Sequence, residues 1–192
     1  MEHRQSRVTI HMAASLDGFI AKKDGSVDWM ETADRFEGGI ALTPEAIADF
    51  LRSIGCYVMG ARTYETALEF DARGLGWSYG DTPTVVLTRR PLRKIRETVE
   101  FYSGDLAELI NERLKPRFAD IWVVGGAAVS AECLRLHLAD EIRYSVLPVA
   151  IGDGVSFFRG LDADVPLHLL EAATYTSGMV ALRYAVNKPT AR

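Results

Sequence analysis

The sequence predicts an α/β protein: a mixed, mostly parallel sheet with helices on both faces and a C-terminal antiparallel hairpin. Two observations predict it. Short β-branched and apolar runs alternate with helical patterns over the first two-thirds of the chain, as in parallel strands joined by helical crossovers. The last third changes character: strand-like runs occupy 141–149, 167–175 and 180–186, and the last two flank Thr176-Ser177-Gly178 as strands flank a hairpin turn.

The elements follow in order. Residues 8–14 (V-T-I-H-M-A-A) read as a strand that runs into a turn at Ser15-Leu16-Asp17-Gly18. A polar loop, 22–34, carries Trp29 and Met30. Thr43-Pro44-Glu45 is a helix start, with Thr43 as N-cap, Pro44 in the first helical position and Glu45 where the helix dipole favours an anion. Ile47, Phe50, Leu51 and Ile54 recur at helical spacing, which predicts one buried face, and Gly55 ends the helix. A buried strand at 56–59 turns through Gly60-Ala61-Arg62-Thr63 into a second helix, and 84–87, 100–102 and 121–124 are further short strands. No Gly/Pro/Ser-rich linker or repeat interrupts the 192 residues, so one domain over 1–192 is expected, with loose ends at 1–6 and 188–192.

Composition narrows the function classes. With 48% apolar residues and 25% charged residues, the chain is neither disordered nor fibrous. Its 22 basic residues against 26 acidic ones give a net charge of −4, which argues against nucleic-acid binding by diffuse positive charge. The longest apolar stretch, 121–129, is far short of the roughly 18–20 residues of a membrane span, and residues 1–7 are polar. Cys56 and Cys133 lie in apolar contexts without metal-type neighbours, as expected of reduced thiols in a cytoplasmic protein.

Most catalytic signatures are absent. The four histidines (3, 11, 137 and 168) never fall at i,i+4; there is no G-x-S-x-G and no P-loop; and no metal site is expected. His11 reads as a packed strand histidine, and the G-x-G runs at 74–76 and 152–154 read as loops.

Three segments carry a signal. In the first, residues 121–129 (I-W-V-V-G-G-A-A-V) run from a strand through Gly125-Gly126 into a helix. Small residues there admit close backbone approach, and the helix start offers free N–H groups. A tight packing turn would look the same. In the second, residues 58–64 repeat the arrangement, with Gly60 followed by Arg62 and Thr63. A surface ion pair would equally explain the arginine. In the third, residues 89–96 hold five cations and no acid directly after a strand, where open α/β sheets bind ligands. Such a run is otherwise a solvated face. Without it, 17 basic residues face 26 acidic ones, so the chain is an acidic body with one basic corner. Two separated phosphate sites across one sheet edge point to a dinucleotide with a 2′-phosphate, NADPH.

Residues 12–21 (M-A-A-S-L-D-G-F-I-A), then Trp29, then 59–65 (M-G-A-R-T-Y-E), then Leu87-Thr88-Arg89, then Val124-Gly125-Gly126 resemble in order the dihydrofolate reductase superfamily. More narrowly, the chain resembles stand-alone relatives of the reductase domain of the bifunctional riboflavin-biosynthesis deaminase-reductase. The likeness runs from Val8 to about Val186. It implies the three-layer dihydrofolate-reductase-like fold. It also implies that Ala13 and Ile20 hold the nicotinamide carboxamide, and that Gly60, Arg62 and Thr63 meet phosphates. Leu87, Thr88 and Arg89 would reach the 2′-phosphate. Val124, Gly125 and Gly126 would form a turn with a cis Gly-Gly bond, and Ala127, Ala128 and Val129 would offer amides to the pyrophosphate. Asp17, Trp29 and Ser145 are expected on the substrate side. Glu45 is the only acid in the turn where dihydrofolate reductases place their catalytic carboxylate, although a plain helix-end charge would look the same. The Asp-Asn-Pro stretch usual in riboflavin reductases is missing from 69–80.

The expected function is NADPH-dependent hydride transfer to a small pteridine- or aminopyrimidine-type substrate, in a homodimer with no nucleic-acid or membrane partner. The rivals are a sensor that keeps the NADPH groove without turnover and a nucleic-acid patch at 89–96.

Overall fold

Strand β1 (Arg7–Ser15) organises the fold through its alternation. Val8, Ile10, Met12 and Ala14 point to one face and are buried, while Arg7, Thr9, His11 and Ala13 point to the other. This computed structural model describes residues 6–188, so the expected loose ends fall mostly outside the described residues. Of their inner members, Ser6 donates its hydroxyl to Phe118 O at 2.7 Å, and Lys188 pairs with Asp140.

The remaining elements are β2 (Phe19–Ala21), α1 (Pro44–Arg52), β3 (Cys56–Gly60), α2 (Ala61–Ala72), β4 (Thr84–Leu87) and β5 (Val99–Tyr102). After them come α3 (Leu106–Glu108), β6 (Asp120–Gly125), α4 (Ala127–Arg135), β7 (Glu141–Leu147), β8 (Val155–Ser156), β9 (Leu167–Thr174) and β10 (Val180–Val186). Eight strands form one sheet in the order β5-β4-β3-β6-β1-β7-β10-β9. The first six in that order are parallel, and β10 is antiparallel to both β7 and β9. This is the predicted mixed sheet. The carboxyl ends of its parallel strands share one edge.

Helices cover both faces. On the first face, α4 and the α3 region, which widens into a π-helix over Leu109–Leu114, bury Leu106, Ile110, Cys133 and Leu134 against Val8, Ile10, Val58 and Ile142. On the second face, Tyr64 of α2 joins Tyr57, Met59, Val86 and Val99, with Trp77, Tyr79 and Trp122 packed alongside. Burial of this apolar surface, at roughly 25 cal/mol per Å², is the main term holding the sheet to its helices.

Helix α1 departs from expectation. Thr43 caps it by accepting from Ala46 N at 3.2 Å, as predicted, but it ends at Arg52 with Ser53 as C-cap, and none of its residues is buried. Ile47 is 44% exposed and Leu51 36%. The physical reason is its thin support. Phe50 leans edge-on against His11 (centroids 5.6 Å) and on Trp122 (5.4 Å), while helical cover thins out over β10 and β9, whose residues are half-buried or exposed apart from Val186. Sequence periodicity reports amphipathicity, and the tertiary structure decides how much of an apolar face is covered.

Candidate active site

Two strand-to-helix turns abut at the carboxyl edge. A Cβ built on Gly60, at the end of β3, would lie 3.2 Å from Val129 Cγ2 and 3.9 Å from both Gly125 O and Gly126 N. One built on Gly126 would lie 3.6 Å from Thr63 Oγ1. The turns of α2 and α4 are therefore neighbours, as the pairing of β3 with β6 requires. The Gly125–Gly126 peptide is cis, as the resemblance implied. Gly125 has φ +119, a conformation that demands glycine, and a Cβ there would also fall 2.6 Å from Met12 Sδ and displace that side chain.

The helix starts differ in their caps. Thr43 caps α1 and Asp105 caps α3 with side-chain oxygens, whereas α2 and α4 start at Gly60 and Gly126 with no side-chain cap and no acid in the first turn. Val129 N donates to Gly126 O at 3.0 Å, which removes it from the three amides expected to face a ligand. Ala127 and Ala128, in the first two helical positions, have amides with no intrahelical acceptor.

The basic corner is partly neutralised. Arg90 pairs with Glu65 at 2.6 Å, Lys94 with Glu97 at 3.1 Å, and Arg96 with Asp71 at 4.0 Å. Among the described residues, Arg62, Arg89 and Arg93 have no acidic partner within 4 Å. The hydroxyl of Thr88 is taken up locally: it donates to Arg90 O at 2.9 Å and accepts from Arg90 N at 3.1 Å, which holds the turn that carries Arg89. Leu87 and Val124 are half-buried strand residues beside these turns.

On the substrate side, Asp17 is committed to the fold. Its carboxylate accepts from Gly152 N at 2.7 Å and Ile151 N at 3.2 Å, fastening the turn after β1 to the loop before β8. The Ser15 side chain first, then those amides, hold its pKa below the usual carboxylate range. Ile20 lies in β2, which pairs with β8 as a separate two-stranded ribbon. Trp29 sits in a short 3-10 turn, Asp28–Met30, with its indole buried and its Nε1–H without a partner among the described residues. Glu45 is exposed in the first turn of α1.

Register assembles a surface that no single segment encodes. Ala13 pairs with Ser145, Ser145 with Ala181, and Ala181 with Ala173, which places four small residues in one row across β1, β7, β10 and β9. The next row toward the amino edge is His11, Arg143, Arg183 and Glu171. Buried Glu141 orders this row, accepting from Arg143 Nε at 2.7 Å and lying 3.0 Å from Arg183 Nε. His11 stacks on Trp122 (centroids 4.8 Å, 20° between planes), and its Nε2 is 3.3 Å from Ser145 Oγ. Burial, reinforced by Arg143 and opposed by Glu141, lowers its pKa to about 4. The packed-histidine reading of His11 holds, whereas its contact with Ser145 depends on strand pairing and has no local signature.

Among the described residues, no group of three or more His, Cys, Asp or Glu could hold a metal ion. No helix among them is long and apolar enough to cross a membrane. Both cysteines are free and buried, with thiols pushed up to about 12 by burial.

Known proteins share this fold. The chain is 31% identical over 166 residues to the uncharacterized protein YwjB of Bacillus subtilis, covering 86% of this chain and 90% of that one. Its fold matches a crystal structure from Shewanella sp. PV-4 assigned to riboflavin biosynthesis, with a TM-score of 0.79, 22% identity, and coverage of 95% and 99% of the two chains. It also matches the Thermotoga maritima diaminohydroxyphosphoribosylaminopyrimidine deaminase/5-amino-6-(5-phosphoribosylamino)uracil reductase, with a TM-score of 0.67 and 16% identity, covering 96% of this chain and 57% of that one. The sequence profile of the RibD C-terminal domain matches residues 6–181, nearly the whole described range. The chain belongs to the RibD C-terminal domain family.

Proposed function

We propose that the protein is an NADPH-dependent reductase acting on a small heterocycle of the pteridine or aminopyrimidine type. The observation that carries this reading is the pair of uncapped helix starts, side by side at the carboxyl ends of β3 and β6. Each such start presents N–H groups and the positive end of a helix dipole, so a pyrophosphate between them is held without a dedicated cationic cage. Family membership supports the same cofactor.

On this reading, the Ala127 and Ala128 amides and the Arg62 and Thr63 side chains hold the pyrophosphate, and Arg89 grips the 2′-phosphate. Ala13 and Ile20 orient the nicotinamide carboxamide. When bound, NADPH supplies the hydride. The small-residue row Ala13-Ser145-Ala181-Ala173 is a floor on which a flat ring can lie, so the chain's contribution is to align two planar groups and exclude water between them. Glu45 is our candidate proton source. If Glu45→Gln leaves turnover unchanged at every pH, that role is lost.

The test is NADPH consumption at 340 nm with dihydrofolate and with 5-amino-6-(5-phosphoribosylamino)uracil. Oxidation dependent on one of these supports the reading. Tight NADPH binding with no consumption across the panel would instead favour a sensor. We further propose that two copies pair along edge strand β9, whose Leu167, Leu169 and Leu170 are exposed. Light scattering at twice 21.2 kDa is the expected result, and a monomer would refute it.

A further inference from the structure

The charged row beside the small-residue floor contains a contact that fixes the direction of a hydrogen bond. Ser145 is 8% exposed, and among the described residues its hydroxyl meets one side-chain partner, His11 Nε2 at 3.3 Å. The other ring nitrogen of His11, Nδ1, is buried and has no partner among the described residues. A neutral imidazole carries one N–H and one lone pair, so two arrangements exist. In the first, Nδ1 bears the proton, and a buried N–H donor is stranded with nothing to accept from it. In the second, Nε2 bears the proton and donates to Ser145 Oγ, leaving only a lone pair unmatched at Nδ1. Stranded buried N–H groups are rarer in native proteins than under-used acceptors, so the second arrangement is favoured.

The consequence falls on Ser145. With one oxygen lone pair filled by His11 Nε2–H, its own proton has no acceptor among the described residues. The hydroxyl lies in the row Ala13-Ser145-Ala181-Ala173, between alanines whose side chains end at Cβ, and 8% of the residue stays exposed.

We propose that His11, held as the Nε2–H tautomer, is a positioning residue that turns Ser145 into an obligatory hydrogen-bond donor. The site therefore selects substrates that present an acceptor there, a carbonyl oxygen or an unprotonated ring nitrogen. The inference rests on the reductase reading for the place of the substrate, but the tautomer itself does not. The setting of His11 is consistent with a neutral ring. Arg143 and Glu141 of β7 flank it, Phe50 of α1 and Trp122 of β6 close over it, and its pKa lies near 4, well below neutrality.

The proposal is tested first without any substrate. Two-bond 15N–1H correlation spectra of histidine-labelled protein at pH 7, with His11 assigned from the His11→Phe spectrum, should show the neutral Nε2–H form. An Nδ1–H form or an imidazolium would overturn the proposal, whether or not the protein turns anything over. The second arm measures binding of 5-amino-6-(5-phosphoribosylamino)uracil and of dihydrofolate to the NADP⁺-loaded protein. For a probe that binds, Ser145→Ala and His11→Phe should each weaken it about tenfold, and the double variant no more than Ser145→Ala alone. His11→Gln, which keeps an N–H donor, should recover most of the loss. Additive losses in the double variant, or full binding by His11→Phe, would contradict the proposal. Loss of NADPH consumption with both probes, alongside the expected tautomer, would instead count against the reductase reading.

Discussion

The two halves of the sheet on either side of β1 are built on different principles. On the β3–β6 side, the proposed site rests on the backbone: Gly125, where a Cβ would fall 2.6 Å from Met12 Sδ, and two adjoining helix starts without side-chain caps. On the β7–β9 side it rests on side chains brought level by register: a small-residue row, a charged row and a histidine touching a serine. The first half suits a ligand common to many enzymes, because phosphates are recognised by N–H groups almost any sequence can supply. The second suits a ligand particular to one protein. Substrate choice should therefore change through β7, β10 and β9 while cofactor choice stays fixed in the turns.

The largest expected effect tests the backbone half. Gly125→Ala places a Cβ 2.6 Å from Met12 Sδ at φ +119, and we expect a loss of about 3 kcal/mol, from positive-φ strain together with overpacking. Gly60→Ala meets only a Val129 methyl at 3.2 Å, at an ordinary φ of −83, and should cost under about 1 kcal/mol. Urea denaturation compares the two. Equal losses would remove the special standing of Gly125.

The next effect belongs to the side-chain half and depends on pH. The pKa of His11 is about 4 when folded against 6.5 when unfolded, so on acidification the unfolded chain takes up the proton first. The stability linked to this residue is fully present above about pH 6.5 and is lost as pH falls toward 4, amounting to about 2 kcal/mol between pH 7 and pH 5. His11→Phe should flatten that part of the stability profile. An unchanged slope would mean that the ring is not desolvated by Phe50 and Trp122.

A third variant separates the halves. Ala181→Leu raises a bulky side chain from the small-residue floor, and should weaken substrate about tenfold while leaving NADPH affinity within twofold, as titration with each would show. Parallel losses would merge the two sites. The smallest expected effect is none at all: Cys56 and Cys133, buried with thiols pushed up to about 12, should resist a thiol reagent in the native protein at pH 8 and react once it is unfolded.

The same division explains what the sequence reveals. The turns at Gly60 and Gly125-Gly126 are legible because strand, glycine and helix start are contiguous, and the strand boundaries there come out within about two residues. The floor is not legible. Ala13, Ser145, Ala181 and Ala173 are ordinary small residues until the pairings align them. Asp17 and Thr88 show a related limit: residue type suggests a ligand contact, while Asp17 is taken up by amides of the distant loop before β8 and Thr88 by backbone groups of its own turn. The apolar spacing of α1 is real, yet burial depends on cover that the fold gives it only at Phe50. Glu45 and Trp29 sit on segments whose local pattern places them in a turn but not against a partner.

On the proposed reading the basic corner serves a 2′-phosphate at the cofactor edge, and Arg89 is the residue on which that assignment stands or falls. Its guanidinium has no acidic partner among the described residues, while the neighbouring Arg90 is paired with Glu65. Titration calorimetry of the native protein and of Arg89→Ala with NADPH and NADH should show a native preference for NADPH that falls about tenfold in the variant, with NADH affinity unchanged. Equal weakening toward both cofactors, or no native preference, would contradict the account.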